Sequence, residues 1–361
     1  MLPNHSDHQS TASFFQFRRN SYLFSLLLTF SIGISLGIAS TLFIKTVTDS
    51  SLTRVSFVEK RQSGYTFINP LLECEYFNDK DIVLTENISK EVKKSVELFT
   101  SQPELLNISV YYKNLNSGYS FEINSDEIYS PASLFKVPLM IAILKEAQTN
   151  PLLMQTSIYY DPNMSSEDQS IQYFKPDHLM EPNQEYTVEE LLNNMIIYSD
   201  NTASNLLSQV VSEEKIIAVE DDLGLILIPD EEGMLSVSVK NYAGLFRILY
   251  NSSYLEPSLS EKALNILSQS SFVQGLPAKL PDNILVAHKF GERKFGDSFS
   301  NAMNDYSERQ LHDCGIVYYS RAPYLLCIMT RGRDYERMLD SIQKLSLLTF
   351  QHHQKLVDQT N

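Results

Sequence analysis

Positive charge is scarce in this chain of 361 residues. Its 29 Lys and Arg face 44 Asp and Glu, for a net charge of −15, and no basic stripe relieves the deficit. Nucleic acid and anionic lipid need clustered cations to neutralise phosphate, so the composition argues against both as partners. Cysteine is scarcer still. Cys74, Cys314 and Cys327 are the only three, too few for a disulfide framework. Cys314 and Cys327 fall on two apolar runs that read as neighbouring strands, so a bridge between them is open. The expectation is a pair of buried reduced thiols, because free cysteine behaves as a small core residue. The redox compartment therefore stays open. The seven His are scattered without zinc-type spacing, and His352 and His353 are expected on a solvated tail rather than on a metal. Internal repeats and low-complexity tracts are also absent. With 43% hydrophobic and 20% charged residues the chain is not disordered, and it is long enough for one large domain or two modest ones.

One long apolar run is present. The 23 residues from Tyr22 to Ile44 carry no charge and are bounded by Arg18, Arg19 and Lys45. At about 1.5 Å per residue, a helix of this length covers a hydrocarbon core of roughly 30 Å. The stretch is too long for a signal peptide and lacks an Ala-x-Ala cleavage site. The expectation is a cytoplasmic tail over 1–21, a single-pass transmembrane helix over 22–45 and a juxtamembrane linker over 46–80. The main domain, over 81–355, would lie on the outer side of the cell membrane. Lys45, Arg54, Lys60 and Arg61 follow the run, so the charges alone do not fix orientation. Gly33 and Gly37 form a G-x-x-x-G that could pair helices.

Beyond residue 81 the pattern becomes globular. Residues 86–101 read as a helix. Two alternating runs, 108–114 and 119–124, joined by Asn116-Ser117-Gly118, read as a β-hairpin. Ser130-Pro131-Ala132-Ser133 opens a helix with a capping hydroxyl and an early proline, and the apolar helix continues to about Ala147. The stretch 150–280 is mostly helical, with one helix running from Thr187-Val-Glu-Glu through Ile197. Runs 284–290, 313–319 and 324–330 are strand-like, and an amphipathic helix spans about 334–350. Strands at both ends with helices between them imply an α+β fold, an α/β sandwich. Its antiparallel sheet of about five strands, drawn from both chain ends, would be flanked by helices and carry an inserted all-helical lobe.

Chemistry concentrates in three places. Ser133-Leu134-Phe135-Lys136 is an S-x-x-K, which puts an amine and a hydroxyl on one helix face. A hydroxyl needs a base to become a nucleophile. Lysine can serve once burial or a like charge lowers its pKa from about 10.4. Ser212–Lys215 and Ser341–Lys344 share the spacing, but sit in amphipathic stretches and read as surface pairs. Ser133 differs by standing at a helix N-terminus, where free N–H groups can stabilise an oxyanion. Ser199-Asp200-Asn201 closes the helix begun near Thr187. By itself it reads as a turn; chemically it offers a hydroxyl to relay a proton and an amide to hold a substrate. Lys289-Phe290-Gly291 follows the apolar run from Ile284 to Ala287 and sits on or at the end of a strand.

Taken in that order, Ser133-x-x-Lys136, Ser199-Asp200-Asn201 and Lys289-x-Gly291 resemble the three signatures of class A β-lactamases and penicillin-binding DD-peptidases. The surrounding residues Ser133 to Pro138 and Ser199 to Leu207 are similar to the extended motifs, and the resemblance covers roughly 81–350. It implies a serine hydrolase acting on peptidoglycan peptides or β-lactams, with no metal or organic cofactor. By position, Ser133 would be acylated, Lys136 would accept its proton, and Ser199 would pass the proton to the leaving nitrogen. Asn201 and Lys289 would bind the substrate, next to Gly291, and the N–H groups of Ser133 and Glu292 would form the oxyanion hole.

The sequence departs from that family at two points. Phe290 stands where the third motif carries Thr or Ser; Arg293 or Lys294 could replace the missing hydroxyl electrostatically, or be exposed charges at a strand end. No loop glutamate of the E-x-x-L-N kind that activates the hydrolytic water in class A enzymes is assigned, although Glu189-Glu-Leu-Leu-Asn193 and Glu261-Lys-Ala-Leu-Asn265 carry that spacing in helical stretches. Glu220-Asp-Asp-Leu223-Gly224 offers a partial match, but its Leu-Gly reads as a helix ending on a C-cap glycine, and Glu231 and Glu232 lie outside any such motif. Three readings stay open: a DD-peptidase-like enzyme, a β-lactamase with an unorthodox deacylation base, and a wall-binding pseudoenzyme.

Overall fold

The computed structural model describes residues 29–38, 40, 56–61, 64–77, 80–164, 172–229, 235–295, 307–319 and 322–360. They fall into two units, 1–55 and 56–361. In the first, residues 29–38 and 40 are helical. The expected N-terminal transmembrane helix is corrected here, because among the described residues no helix is long and apolar enough to cross a membrane. A crossing takes about 20 consecutive apolar residues in one helix. The tail 1–21 and residues 22–28, 39 and 41–45 of the expected span lie outside the described residues.

The second unit opens within the stretch read as a linker, on an antiparallel pair, β1 (Ser56–Arg61) and β2 (Leu71–Phe77). Between these strands one carboxylate holds three consecutive amides. Glu261 accepts from the backbone N–H groups of Thr66, Phe67 and Ile68 at 2.7, 2.9 and 2.9 Å. The Tyr318 hydroxyl donates to the Phe67 carbonyl at 2.8 Å. A segment without apolar periodicity is thus ordered by long-range polar contacts, which no local pattern reveals.

Helix α1 (Lys80–Thr100) leads into the hairpin β3 (Leu105–Asn114) and β4 (Ser120–Ile123). Its turn is held by the Asn114 side chain, which accepts from the amides of Asn116 and Ser117 at 2.9 and 3.1 Å, the local bonding that favours asparagine in turns. Next come β5 (Ile128–Tyr129), a 3₁₀ turn over Ala132–Phe135 and α2 (Lys136–Thr149). The helical lobe follows. It holds the short pair β6 (Ser157–Tyr159) and β7 (Glu185–Thr187), then α3 (Val188–Ile197), α4 (Asn201–Leu207) and α5 (Glu213–Leu223). A small pair, β8 (Ile228–Pro229) and β9 (Leu235–Ser238), leads to α6 (Val239–Asn251) and α7 (Pro257–Ser268). The chain then returns through β10 (Leu285–Lys294), β11 (Arg309–Tyr318) and β12 (Tyr324–Gly332) to the terminal helix α8 (Tyr335–Thr360).

The main sheet has five antiparallel strands in the order β10-β11-β12-β3-β4. Strand β12 is buried on both faces over most of its length, which is why it reads as an unbroken apolar run rather than an alternation. On one face of the sheet Ile88, Val92 and Val96 of α1 and Met338, Ile342 and Leu345 of α8 pack against Ile108, Val110 and Ile328. On the other, Ile141, Leu191, Phe246 and Leu264 from four helices join Ile316 and Leu325 in a second core. The sheet ends on β10 at one edge and β4 at the other, and the β10 edge carries the site.

Three smaller expectations are corrected. Helix α8 runs on to Thr360, and His353 is fully buried rather than on a solvated tail. Its Nδ1 lies 2.7 Å from the Tyr112 hydroxyl and its Nε2 2.7 Å from the Ala322 carbonyl, and burial pulls its pKa down to about 4. Cys314 and Cys327 are joined by a disulfide instead of standing as free thiols. The register places them directly opposite each other on β11 and β12, a pairing set by tertiary structure. Ser130 does not cap the helix: the residue at that position is Pro131, with no side-chain cap bond.

Glu261→Ala should cost about 2 kcal/mol of folding stability in urea denaturation, the usual scale for losing hydrogen bonds to a charged acceptor. An unchanged midpoint would mean that the 66–68 segment is not held by this carboxylate.

Candidate active site

Ser133 and Lys136 come together through local geometry. The 3₁₀ turn over Ala132–Phe135 passes directly into α2, whose first residue is Lys136. In such a turn residues three apart eclipse, so both side chains leave from the same face. Ala132 just before them has φ +48°, a left-handed conformation that costs a residue with a Cβ and persists only where its surroundings impose it. Those surroundings are visible: the Tyr242 hydroxyl donates to the Leu134 carbonyl at 2.9 Å, and the Leu134 amide donates to the Pro131 carbonyl at 2.9 Å. Ser133 is half-buried, whereas Lys136 is buried.

Ser199, Asp200 and Asn201 link α3 to α4. The capping box at Thr187 and Glu190 starts α3; after it ends, Ser199 takes φ +58° and turns the chain. Asp200 caps α4 by accepting from the Ala203 amide at 2.8 Å, and Asn201 is the first residue of that helix. The Lys136 ammonium donates to the Ser199 carbonyl at 2.6 Å, to Asn201 Oδ1 at 2.6 Å and to Ser199 Oγ at 3.2 Å. Burial pulls its pKa down to about 7, against an opposing pull from the Asp200 carboxylate. An amine near 7 is a usable base at neutral pH.

From the opposite wall, Lys289 reaches the same hydroxyl. Its Nζ donates to Ser199 Oγ at 2.9 Å and to the Phe290 carbonyl at 2.9 Å. The residue is fully buried. Burial first, and the nearby Lys136 second, hold its pKa well below the usual lysine range. One hydroxyl therefore stands between two amines whose charges oppose each other.

Gly291 explains how strand and turn come so close. A Cβ there would stand 3.0 Å from the Pro131 carbonyl oxygen and 3.1 Å from the Leu134 amide nitrogen, so a side chain at this position would press on the Ser133 turn and the glycine keeps β10 close to it. Glu292 follows on the edge strand, where alternate backbone groups face away from β11. Its carboxylate accepts from the Phe174 amide at 3.1 Å, and burial pushes its pKa up to about 7. Arg293 is directed at Ser130, donating to its hydroxyl at 3.1 Å, and Lys294 is exposed.

The remaining sequence candidates lie elsewhere. Lys215 pairs with Glu146 at 2.5 Å, and Lys344 pairs with Asp340 at 2.6 Å, so neither lysine faces its serine; Ser341, expected on the surface, is buried and donates to the Met338 carbonyl. Leu223-Gly224 does end α5, with Gly224 at φ +65°. Glu220 is buried on that helix, its pKa raised by burial. Glu231 and Glu232 lie outside the described residues. Sequence reading missed Phe174 and Phe272, which pack on Phe290, and Tyr335, which packs on Phe174. They come from three distant parts of the chain and share no spacing that could have announced them.

Residues 87–353 match the beta-lactamase enzyme family. The chain is 22% identical over 255 residues to the β-lactamase VEB-1 of Pseudomonas aeruginosa, covering 65% of this chain and 82% of that protein. Among solved structures, a point mutant of PBP-A, described as an acyl-enzyme complex with penicillin G, is similar at 23% identity and a TM-score of 0.60, covering 75% of this chain and 97% of that one. A β-lactamase of Sphaerobacter thermophilus is similar at 18% identity and a TM-score of 0.61, covering 73% and 96%. At these identities the likeness is one of fold.

Lysine-resolved NMR should show the Lys136 ammonium losing its proton around pH 7. Asp200→Asn, which can still cap α4, should move that midpoint lower by removing the carboxylate that favours the charged form. A midpoint near 10.4 would contradict the burial argument.

Proposed function

The chain belongs to the beta-lactamase enzyme family and is a serine hydrolase of that fold, and on that premise we propose that Ser133 forms an acyl-enzyme with D-Ala-D-Ala-type cell-wall peptides and with β-lactams. The observation that carries the proposal is the Ser199 hydroxyl, held by Lys136 at 3.2 Å and Lys289 at 2.9 Å beside the turn that presents Ser133.

Each group then has a role. Neutral Lys136 takes the proton from Ser133 Oγ as that oxygen bonds to the substrate carbonyl carbon. The C–N bond breaks as Ser199 passes a proton to the departing nitrogen, and Ser199 is itself reprotonated from the amine. Asn201 binds the acyl amide, and Lys289 sets the potential around Ser199. The N–H groups of Ser133 and Glu292 receive the oxyanion, a contribution of about 10²–10³ in rate per donor. Gly291 keeps the second donor close to the first.

Release of the acyl group is the slow half. The two E-x-x-L-N spacings, Glu189 to Asn193 and Glu261 to Asn265, offer no evident water-activating group, since Glu189 pairs with Lys262 and Glu261 is bound to the amides of Thr66, Phe67 and Ile68, and Glu220 sits on a helix that ends at Leu223. The similar PBP-A mutant is described as an acyl-enzyme complex with penicillin G, which supports an intermediate that persists. A second reading, turnover of β-lactams, is favoured by the β-lactamase VEB-1 relative and needs a water-activating group elsewhere.

A fluorescent penicillin should label the purified protein stably, and Ser133→Ala should abolish the label. The labelling rate should rise with pH as Lys136 loses its proton, with a midpoint near 7, and then level off. Slow hydrolysis of a chromogenic cephalosporin accompanies this outcome, whereas rapid hydrolysis favours the second reading. Folded protein that takes no label at high penicillin sinks both.

A further inference from the structure

The turn that presents Ser133 is tied to the sheet by side chains that the reaction scheme does not use. Residues 128–131 lead into that turn, and β5 among them pairs with β9, outside the main sheet. Buried backbone groups need partners, and here the main sheet supplies them strand by strand. On β12, Arg331 donates to the Ile128 carbonyl at 2.7 Å, and its guanidinium lies over the Tyr129 ring, 5.2 Å from the centroid. On β3, the Ser109 hydroxyl donates to the Asn124 carbonyl at 2.7 Å and so accepts from the Tyr129 hydroxyl at 2.8 Å. On β11, Gln310 Oε1 accepts from the Ser130 amide at 2.9 Å, and His312 Nε2 lies 3.1 Å from the Ser130 carbonyl oxygen. On β10, Arg293 donates to the Ser130 hydroxyl at 3.1 Å. Ser130 is thereby held at its amide, its carbonyl and its side chain.

The two contacts from β11 are the most enclosed, since Gln310, His312 and Ser130 are all buried. The His312 ring has one workable tautomer. A carbonyl only accepts, so Nε2 carries the proton, and Nδ1 accepts from the Thr330 amide at 3.3 Å. Burial holds its pKa down to about 3, so the ring is uncharged at neutral pH and does not titrate alongside Lys136. Tyr129 meets it edge-on at 5.3 Å.

The nucleophile lies just beyond this contact. Pro131 has no N–H to anchor it, Ala132 takes φ +48°, and Ser133 follows. Across the sheet the register aligns Ser109, Met329, His312 and Gly291 in one row, and Gly291 abuts Pro131 and Leu134. His312 thus holds the residue before Pro131 in the same row as the residue before Glu292. In the proposed reaction the oxyanion donors are the amides of Ser133 and Glu292, one on the turn and one on β10. Their separation depends on how the turn is seated on the strand, and a misplacement of about 1 Å can cost on the order of 10²-fold in rate.

We propose that Gln310 and His312 are positioning residues: by clasping Ser130 at its amide and its carbonyl, they seat the Ser133 turn on β10 and set the spacing of the two oxyanion donors. The inference rests on the reading that Ser133 is acylated. It goes beyond that reading by giving a role to two side chains that lie behind the nucleophile's turn.

Quenched-flow acylation by benzylpenicillin, read by mass spectrometry over a range of concentrations, separates the acylation rate constant from the binding constant and counts active sites. Gln310→Met removes the acceptor, and His312→Leu removes both bonds of the ring. Each should lower the rate constant about tenfold or more, with the binding constant and the pH midpoint near 7 unmoved. Gln310→Glu keeps an acceptor for the Ser130 amide, and His312→Gln keeps an N–H for its carbonyl, so each should recover most of the loss. In the infrared, the ester carbonyl of the acyl-enzyme should move to higher frequency in Gln310→Met and His312→Leu, because a carbonyl drawn away from its donors is less polarised. A purely structural defect would reduce the number of active sites and leave the rate constant per site and the carbonyl frequency unchanged, and that result overturns the proposal. So does a loss that both conservative variants share in full. The two positions are tested separately, so if one variant does not fold the other decides. An unaltered protein that is not acylated defeats the proposed function and this inference with it, whereas an acylated protein whose variants match it removes the clasp alone.

Discussion

The site depends on one constraint: two lysines are buried against one serine hydroxyl. Ser199 Oγ accepts from Lys136 on one side and from Lys289 on the other, in a place where neither amine is solvated. Removing water from an ammonium disfavours its charge, and a second ammonium nearby disfavours it again. Burial and mutual repulsion therefore favour giving up charge, which makes a proton acceptor available at neutral pH. Asp200 works against this tendency and keeps Lys136 near 7. The same aspartate caps α4, so one side chain sets both the helix that positions Asn201 and the charge state of the base.

Holding two cations together requires rigid walls, and the fold supplies them from distant parts of the chain. Lys136 starts a helix buried in one core, and Lys289 lies on the edge of a sheet covered on both faces. The meeting point is backbone against backbone, at Gly291 over Pro131 and Leu134. The left-handed residues Ala132 and Ser199 flank this contact. Their strain is tolerable because the Tyr242 hydroxyl and the Asp200 cap fix the chain around them.

Much of this was legible because it is local. The capping box at Thr187 and Glu190 starts α3 where the sequence places it, and the Asn-Ser-Gly turn joins β3 to β4 as expected, although β3 begins three residues earlier, at Leu105. The S-x-x-K spacing puts two side chains on one face whatever the rest of the chain does. The long apolar run at the N terminus misled, since apolar length by itself does not establish a spanning helix. The disulfide partners, the buried His353 and the Glu261 clasp were also out of reach, because each depends on a register or contact between remote segments. The sequence by itself determined which groups could do chemistry and the order in which they occur. The tertiary structure decided that two of the lysines share one hydroxyl and that Phe290 packs into a buried aromatic cluster with Phe272 and Phe174, because burial and long-range proximity, unlike helical spacing, are properties of the packed chain alone.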